Sequence, residues 1–338
     1  MIRRAFAWLT IAFMMAAAPA WALGSAGTAP LAMPLMRLQE RLDGLAHRAP
    51  GDVAVSVRDL RTGETIGYNA QASLPAASTI KVPVMVEVFR QLELGKFTLE
   101  QEMTLQNSDR DDGWGDLADA PAGSRYTVRR LLWLMITESD NTAANMLIRL
   151  VGRAHVNQTM RALGLDHTEL SDYIRSYGDI RSIRTTAGDM AKLMAMIAHG
   201  EIVDEWSCGE MLEIMAGQQI NTLLPASLPS DVVIAHKTGS LHDTLNDVGV
   251  VYVAGAPYAI AVMTTHLWSL EAGRTFIREV SSLAYKQIST LAHQRADGAV
   301  AMPERDTTIV HPAVVPTVAP FTGVAAPKGA LDWQKVGD

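Results

Sequence analysis

Apolar residues recur at helical spacing near the start of the chain and through its middle, and alternate with polar ones toward both ends. Met36, Leu38, Leu42 and Leu45 give one apolar face to a helix over 36–48. GDVAVSVRDL and GETIGYNA then alternate with period two, which predicts a hairpin. From 78 to 220 the periodic segments are helical, among them VRRLLWLMI, TAANMLIRLV and AGDMAKLMAMIAHG. VVIAHKTGS, VGVVYVAG and YAIAVMTTHL read as three strands, and 271–292 as a last helix. Strands at both ends with helices between them predict an α+β fold: one antiparallel sheet built from both chain termini, packed against a mainly helical lobe. A ligand is expected in the cleft between the two.

Two segments fall outside this pattern. MIRRAFAWLTIAFMMAAAPAWALGSAG carries Arg3 and Arg4 before an apolar run from Ala5 to Ala18, with Ala20 and Ala22 around Trp21. This is the form of a cleavable secretory signal over 1–22. The arginine pair with Phe6 beyond it also suits twin-arginine export. The apolar run is shorter than the ~20 residues a bilayer requires, and no later segment is long and apolar enough to span. The expectation is a periplasmic or secreted bacterial protein with no stable membrane span after cleavage. From 296 to 338 the chain carries five prolines and neither period, which predicts a flexible tail and leaves 23–295 as the folded domain.

Composition narrows the partners. With 338 residues, 48% of them hydrophobic, the chain can bury a substantial core. A formal charge of −7 argues against nucleic acid, whose phosphates demand a basic face, and favours a small-molecule substrate. A monomer is the default. Cys208 is the single cysteine, so no internal disulfide is possible and a small buried hydrophobe is expected there. The nine histidines lack ligand spacing; His236 and His242, the nearest to a pair, have no cysteines or acids at zinc-site intervals. Neither a metal nor another cofactor is expected.

The candidate chemistry begins at ASTIKVPV, where Ser78 stands three places before Lys81. Taken alone, the stretch fits a serine N-cap ahead of an apolar helix as well as a nucleophile beside its base. At a helix start the two lie one turn apart on the same face, so the amine can reach the hydroxyl. Two further motifs follow: Ser139-Asp140-Asn141 in TESDNTAAN, and Lys237-Thr238-Gly239 in AHKTGS. The first also suits a polar cap on the helix after it. In this order, behind a secretory leader and with the last motif on a late strand, they match the signature set of penicillin-recognising serine enzymes. The chain therefore resembles the class A β-lactamase-like family over roughly 34–293. Thr127 in TVRRLL, twelve residues before Ser139, and Trp114, thirteen before that, fall where the family has a similar helix start and an aromatic residue at the mouth of its site.

The resemblance implies a division of labour. Ser78 would be the acylated nucleophile. Lys81, held neutral by burial beside Lys237, would take its proton. Ser139 would pass a proton to the leaving nitrogen, and Asn141 would hold the substrate's side-chain amide. Lys237 and Thr238 would meet the substrate carboxylate, and Gly239 would let substrate lie against the strand. The N–H groups of Ser240 and Ser78 would form the oxyanion hole.

Two departures from the family divide the possible functions. The E-x-x-L-N stretch that supplies the deacylating glutamate is missing; LDHTELSDYIRSYGDIRSIRTTAGDM stands in its place, with Glu169, Asp172 and Asp179 as its carboxylates. Glu169 is expected at the end of the preceding helix, and Asp179 in an ion pair with Arg175 and Arg181. Where many relatives carry an arginine after the late strand motif, this chain has Leu245 and Asn246, which leaves anion binding to Lys237, Thr238 and His236 or His242. A class A β-lactamase-like hydrolase with slow deacylation is the first reading. A D-alanyl-D-alanine peptidase or related amidase or esterase is the second, and a β-lactam-binding protein that stays acylated the third.

Overall fold

The alternation at the two ends of the chain becomes one five-stranded antiparallel sheet. A computed structural model describes residues 31–111, 113–176, 180–300 and 308–312, so the expected leader over 1–22 lies outside the described residues. The chain opens with α1 (Met33–Ala46), then β1 (Asp52–Asp59), β2 (Thr65–Tyr68) and the short β3 (Leu74–Pro75). Next come α2 (Lys81–Glu93), β4 (Glu102–Thr104), β5 (Arg125–Thr127), α3 (Val128–Trp133), α4 (Asn141–Val151) and α5 (Arg153–Ala162). The short β6 (Arg184–Thr185) precedes α6 (Ala187–Ala198) and α7 (Glu205–Ala216), and β7 (Ile234–Leu241), β8 (Thr244–Val251), β9 (Tyr258–Thr265) and α8 (Leu270–Ala296) close the domain.

Strand order in the large sheet is β2-β1-β9-β8-β7, so the N-terminal hairpin joins the C-terminal strands through β1 and β9, with Val55 opposite Val262. The last motif thus lies on an edge strand, β7. The predicted middle is helical except for two small strand pairs, β4 with β5 and β3 with β6. Among the described residues no helix is long and apolar enough to cross a membrane.

The helix after Ser78 is the axle of the helical lobe. Every α2 residue from Lys81 to Gln91 is buried. Its charged members satisfy one another: Glu87 accepts from Arg90 at 2.7 Å, from Gln91 at 2.6 Å and from Thr159 of α5 at 2.6 Å. A buried carboxylate so bonded keeps the helix in one register, because any shift would strand the charge. Cys208 is buried as expected. Its thiol donates to the Ile202 carbonyl, and burial pushes its pKa up to about 12, far from the reactive range.

Residues 308–312, within the stretch expected to form the tail, make contacts with the domain. Val310 N–H donates to Ala198 O at 2.7 Å, and Val310 O accepts from the Tyr252 hydroxyl at 2.9 Å. The Val310 side chain rests on a glycine floor, since a Cβ at Gly200 would come within 3.3 Å of it and one at Gly209 within 3.8 Å. Ending the chain after Val300 would empty that socket and leave the Tyr252 hydroxyl unpaired. A loss of about 1–3 kcal/mol and a Tm lower by several degrees are expected. Thermal unfolding followed by circular dichroism measures this, and an unchanged Tm refutes the docking.

Candidate active site

Ser78 sits in a single 3₁₀ turn, Ala77–Ile80, that leads into α2. Ala76 stands at the N-cap of this turn and Ile80 at that of α2, so the N-cap reading of Ser78 does not hold. The turn is reached through Ala77 at φ +48°, a left-handed conformation costly for a residue with a Cβ. Buried Asn246 pins it in place, its Nδ2 donating to Pro75 O at 2.9 Å and Ala76 O at 3.1 Å. Asn246, one of the two positions where the resemblance implied an arginine, is thus used here to hold the turn that carries Ser78. Gly239 of β7 adds the complementary surface: a Cβ there would lie 3.1 Å from Ser78 N and 3.0 Å from the Ala77 Cβ. Its missing side chain makes room for this turn as well as for anything lying along the strand.

The second motif is built on a similar irregularity. Leu134–Glu138 form a π-helical turn after α3, and Ser139 follows at φ +62°. Non-standard turns of this kind concentrate at functional sites. Asp140 caps α4, accepting from Ala143 N at 2.7 Å, and also accepts from Leu117 N at 2.9 Å. The loop bearing Trp114 is bound to the same turn, with Asn141 N–H donating to Trp114 O at 2.9 Å and the indole N–H to Glu138 O at 2.8 Å. Trp114 itself is 57% exposed and stands in the cleft wall.

Two lysines meet at one hydroxyl. Lys81 Nζ donates to Ser139 O at 2.6 Å, Asn141 Oδ1 at 2.7 Å and Ser139 Oγ at 3.2 Å. Lys237 Nζ reaches the same Oγ at 3.0 Å and donates to Thr238 O at 2.9 Å. Both amines are fully buried. Burial first, and then the charge of Lys237, holds the Lys81 pKa well below its ordinary range, although Asp140 and Asp111 partly offset them. Burial also lowers Lys237 to about 7, against the opposing pull of Asp247. The hydrogen bond expected between Lys81 and Ser78 is not formed. Three acceptors match the three donors of an ammonium group, and all three belong to the second motif.

The cleft that joins these groups has a volume of about 690 Å³, and Ser78, Ser139, Asn141, Thr238, Gly239 and Ser240 all line it. Two guanidinium groups that the sequence did not suggest line it too: Arg181, paired with Asp243, and Arg274, 3.2 Å from Glu271. His242 is in the wall. His236 is not: it is buried against Asp247 at 2.9 Å and Asn221 at 3.0 Å, which removes it from anion binding.

The candidate carboxylates are placed elsewhere. Glu169 is exposed beyond the end of α5 and pairs through its backbone with Arg184, so it is not on the preceding helix. Asp172 is exposed and lies 3.5 Å from Arg153. Neither lines the cleft. Asp179 lies outside the described residues. Arg175, its expected partner, donates to the backbone oxygens of Arg110 and Ser108 at 2.7 and 2.8 Å, and Arg181 is engaged with Asp243. The sequence also gave no hint of Asp111, a buried carboxylate bonded to Asn141 Nδ2 at 2.7 Å. Burial would raise its pKa, but hydrogen bonds from Ser176, Asn141 and Gly113 outweigh this and hold it below the usual carboxylate range.

Known proteins resemble the chain over the whole of this domain. The model of the Beta-lactamase enzyme family matches residues 37–288. A beta-lactamase of Streptomyces albus G is 28% identical over 244 residues, covering 67% of this chain and 76% of that protein. One of Rhodobacter capsulatus is 29% identical, covering 72% and 85%. Among solved structures, PBP-A is 33% identical with a TM-score of 0.72, over 78% of this chain and 100% of PBP-A. A mutant of PBP-A has been solved as an acyl-enzyme complex with penicillin G. The beta-lactamase of Sphaerobacter thermophilus is 29% identical with a TM-score of 0.67, over 76% and 97%.

Proposed function

The chain belongs to the beta-lactamase enzyme family, and from that premise we propose that it is a serine hydrolase that opens β-lactam amides through an acyl-enzyme on Ser78. The observation that carries this reading is the convergence of two buried lysines on Ser139 Oγ, at 3.2 and 3.0 Å, in the cleft that Ser78 lines. Two ammonium groups so close and so dry cannot both keep their protons cheaply. Lys81 yields first. Once neutral it has two donors for its two short bonds and a lone pair in place of the longest, and turning that lone pair to Ser78 makes it the acylation base. Catalytic hydrogen bonds commonly form only in the substrate complex, which accounts for the resting geometry.

Acylation then proceeds by attack of Ser78 Oγ on the lactam carbonyl, with its proton passing to Lys81. Negative charge on the carbonyl oxygen is met by the Ser78 and Ser240 N–H groups. Ser139, held between both amines, delivers its proton to the departing nitrogen and takes from Lys81 the proton that came from Ser78, which leaves Lys81 neutral in the acyl-enzyme. The substrate carboxylate lies by Thr238 and the charge of Lys237. Arg274 supplies the guanidinium missing after the late strand motif. Arg274→Ala is expected to raise KM about tenfold for substrates bearing that carboxylate, with a smaller change in kcat and little effect on neutral esters. Steady-state kinetics with a matched acid and ester pair decides this.

A second reading is favoured by one observation: neither Glu169 nor Asp172 lines the cleft. With neither of these two carboxylates, the candidates among the described residues, to drive hydrolysis of the ester, deacylation would be slow, and the natural substrate would be a D-alanyl-D-alanine peptide or the protein would stay acylated. The expected leader over 1–22 agrees with either role, because both substrates lie outside the cytoplasm. Incubation with a fluorescent penicillin, peptide mapping of the adduct, and turnover of a chromogenic cephalosporin test the readings together. Rapid turnover supports the lactamase, a lasting adduct on Ser78 supports the peptidase or binding protein, and the absence of both turnover and adduct overturns the proposal.

A further inference from the structure

Among the described residues of the 166–184 segment, one that carries a hydroxyl lines the cleft. Ser176 stands in its wall beside Gly113 and Asn141. Its backbone N–H and its Oγ–H both donate to Asp111, at 2.6 and 2.7 Å. Asp111 is 4% exposed and accepts two further bonds, from Asn141 Nδ2 at 2.7 Å and Gly113 N at 3.1 Å. The carboxylate thus accepts four bonds, and the single proton of Ser176 Oγ is committed to it. A hydroxyl in that state can only accept from whatever occupies the cleft. Asn141 links this pair to the base, because the amide that gives Nδ2 to Asp111 presents Oδ1 to Lys81 at 2.7 Å.

We infer that Ser176 positions the hydrolytic water that releases the Ser78 acyl-ester, with Asp111 as the positioning residue that keeps its hydroxyl accepting. The inference rests on the acyl-enzyme reading. One O–H of the water donates to Ser176 Oγ while its oxygen attacks the ester carbon, and the other proton passes to the neutral amine of Lys81. When the tetrahedral intermediate collapses, the bond from carbon to Ser78 Oγ breaks and Lys81 returns that proton to Ser78. The enzyme ends in the protonation state in which it began. Ser176 thus does part of the work of the missing glutamate: it orients the water, and the lysine takes the proton.

The test separates the two chemical steps. Rapid-quench intact mass spectrometry with a penicillin gives the rate at which the adduct forms and, after removal of free drug, the rate at which it decays. Ser176→Ala is expected to form the adduct within twofold of the wild-type rate and to lose it at least tenfold more slowly. Ser176→Thr, which keeps the hydroxyl, is expected to restore decay to within about threefold. Gly113→Ala offers an independent route to the same defect, because its Cβ would fall 1.4 Å from Ser176 Oγ and drive that hydroxyl off Asp111. Equal decay of the Ser176→Ala and wild-type adducts overturns the inference and leaves the acyl-enzyme reading standing. Equal slowing of both steps overturns it in favour of a structural role. Absence of any wild-type adduct overturns both.

Discussion

Lys81→Met is expected to slow acylation of Ser78 by about four orders of magnitude, nearly as much as Ser78→Ala itself. A serine hydroxyl is a weak nucleophile at neutral pH, and a positioned base contributes about 10²–10⁴ to its attack. Lys81 is the residue proposed as that base, and burial and Lys237 both favour its neutral form. Its loss also removes the donor to Ser139 O and Asn141 Oδ1, so both residues that would meet substrate lose one side-chain anchor and keep Lys237 and Asp111 respectively. Groups that act as one unit fail together, and Ser78→Ala with Lys81→Met is expected to be little worse than either alone. Methionine keeps most of the side-chain volume, so the buried α2 should fold; thermal unfolding provides the control. The measurement is the rate of penicillin adduct formation by quenched mass spectrometry. A Lys81→Met protein that acylates within tenfold of wild type would remove the lysine from the mechanism.

The sheet and the helical lobe could be read from the sequence because they rest on local periodicity. The alternation in GDVAVSVRDL and YAIAVMTTHL identifies β1 and β9, and their complementary apolar faces make the pairing of the two chain ends the economical solution. The three motifs were equally visible, being contiguous. Which way Lys81 turns was not, because that depends on a carbonyl and an amide 58 and 60 residues away. Asp111 and Ser176 meet across 65 residues with no spacing to mark them. Arg274 reads as one more charge on an amphipathic helix, an i,i+3 partner of Glu271. Ala77 and Ser139 adopt left-handed conformations without the glycine or asparagine that normally signals them. In the tail, proline content spoke for flexibility, while the apolar side chain of Val310 found a socket floored by two distant glycines. In each case the deciding contact is long-range and irregular, and periodicity carries no information about such contacts.

Lys237→Gln is expected to lower kcat/KM at pH 7 by about 10²–10³ and to change the shape of its pH dependence. In the wild type the rate is expected to rise as Lys81 loses its proton and to fall as Lys237, lowered by burial to about 7, loses its own, because the charge proposed to meet the substrate carboxylate disappears. The two amines titrate as a coupled pair, so the limbs of the curve belong to the pair. Glutamine carries no charge at any pH, which abolishes the alkaline limb. It also removes the cation that disfavours a second charge beside it, so Lys81 holds its proton to higher pH and the acid limb moves upward. Less of the base is then neutral at pH 7, which adds to the loss of substrate binding. Stability should respond in a matching way. The pKa of Lys237 falls from an ordinary 10.5 to about 7 on folding, so between those values the unfolded chain binds more protons than the folded one. This group's contribution therefore favours the native state increasingly as pH rises from about 7 toward 10.5, and it is lost as pH falls through 7. Glutamine should flatten that part of the curve of Tm against pH. A Lys237→Gln protein whose acid limb stays where the wild type has it would show that Lys237 does not tune Lys81, and the shared-hydroxyl mechanism would have to be abandoned.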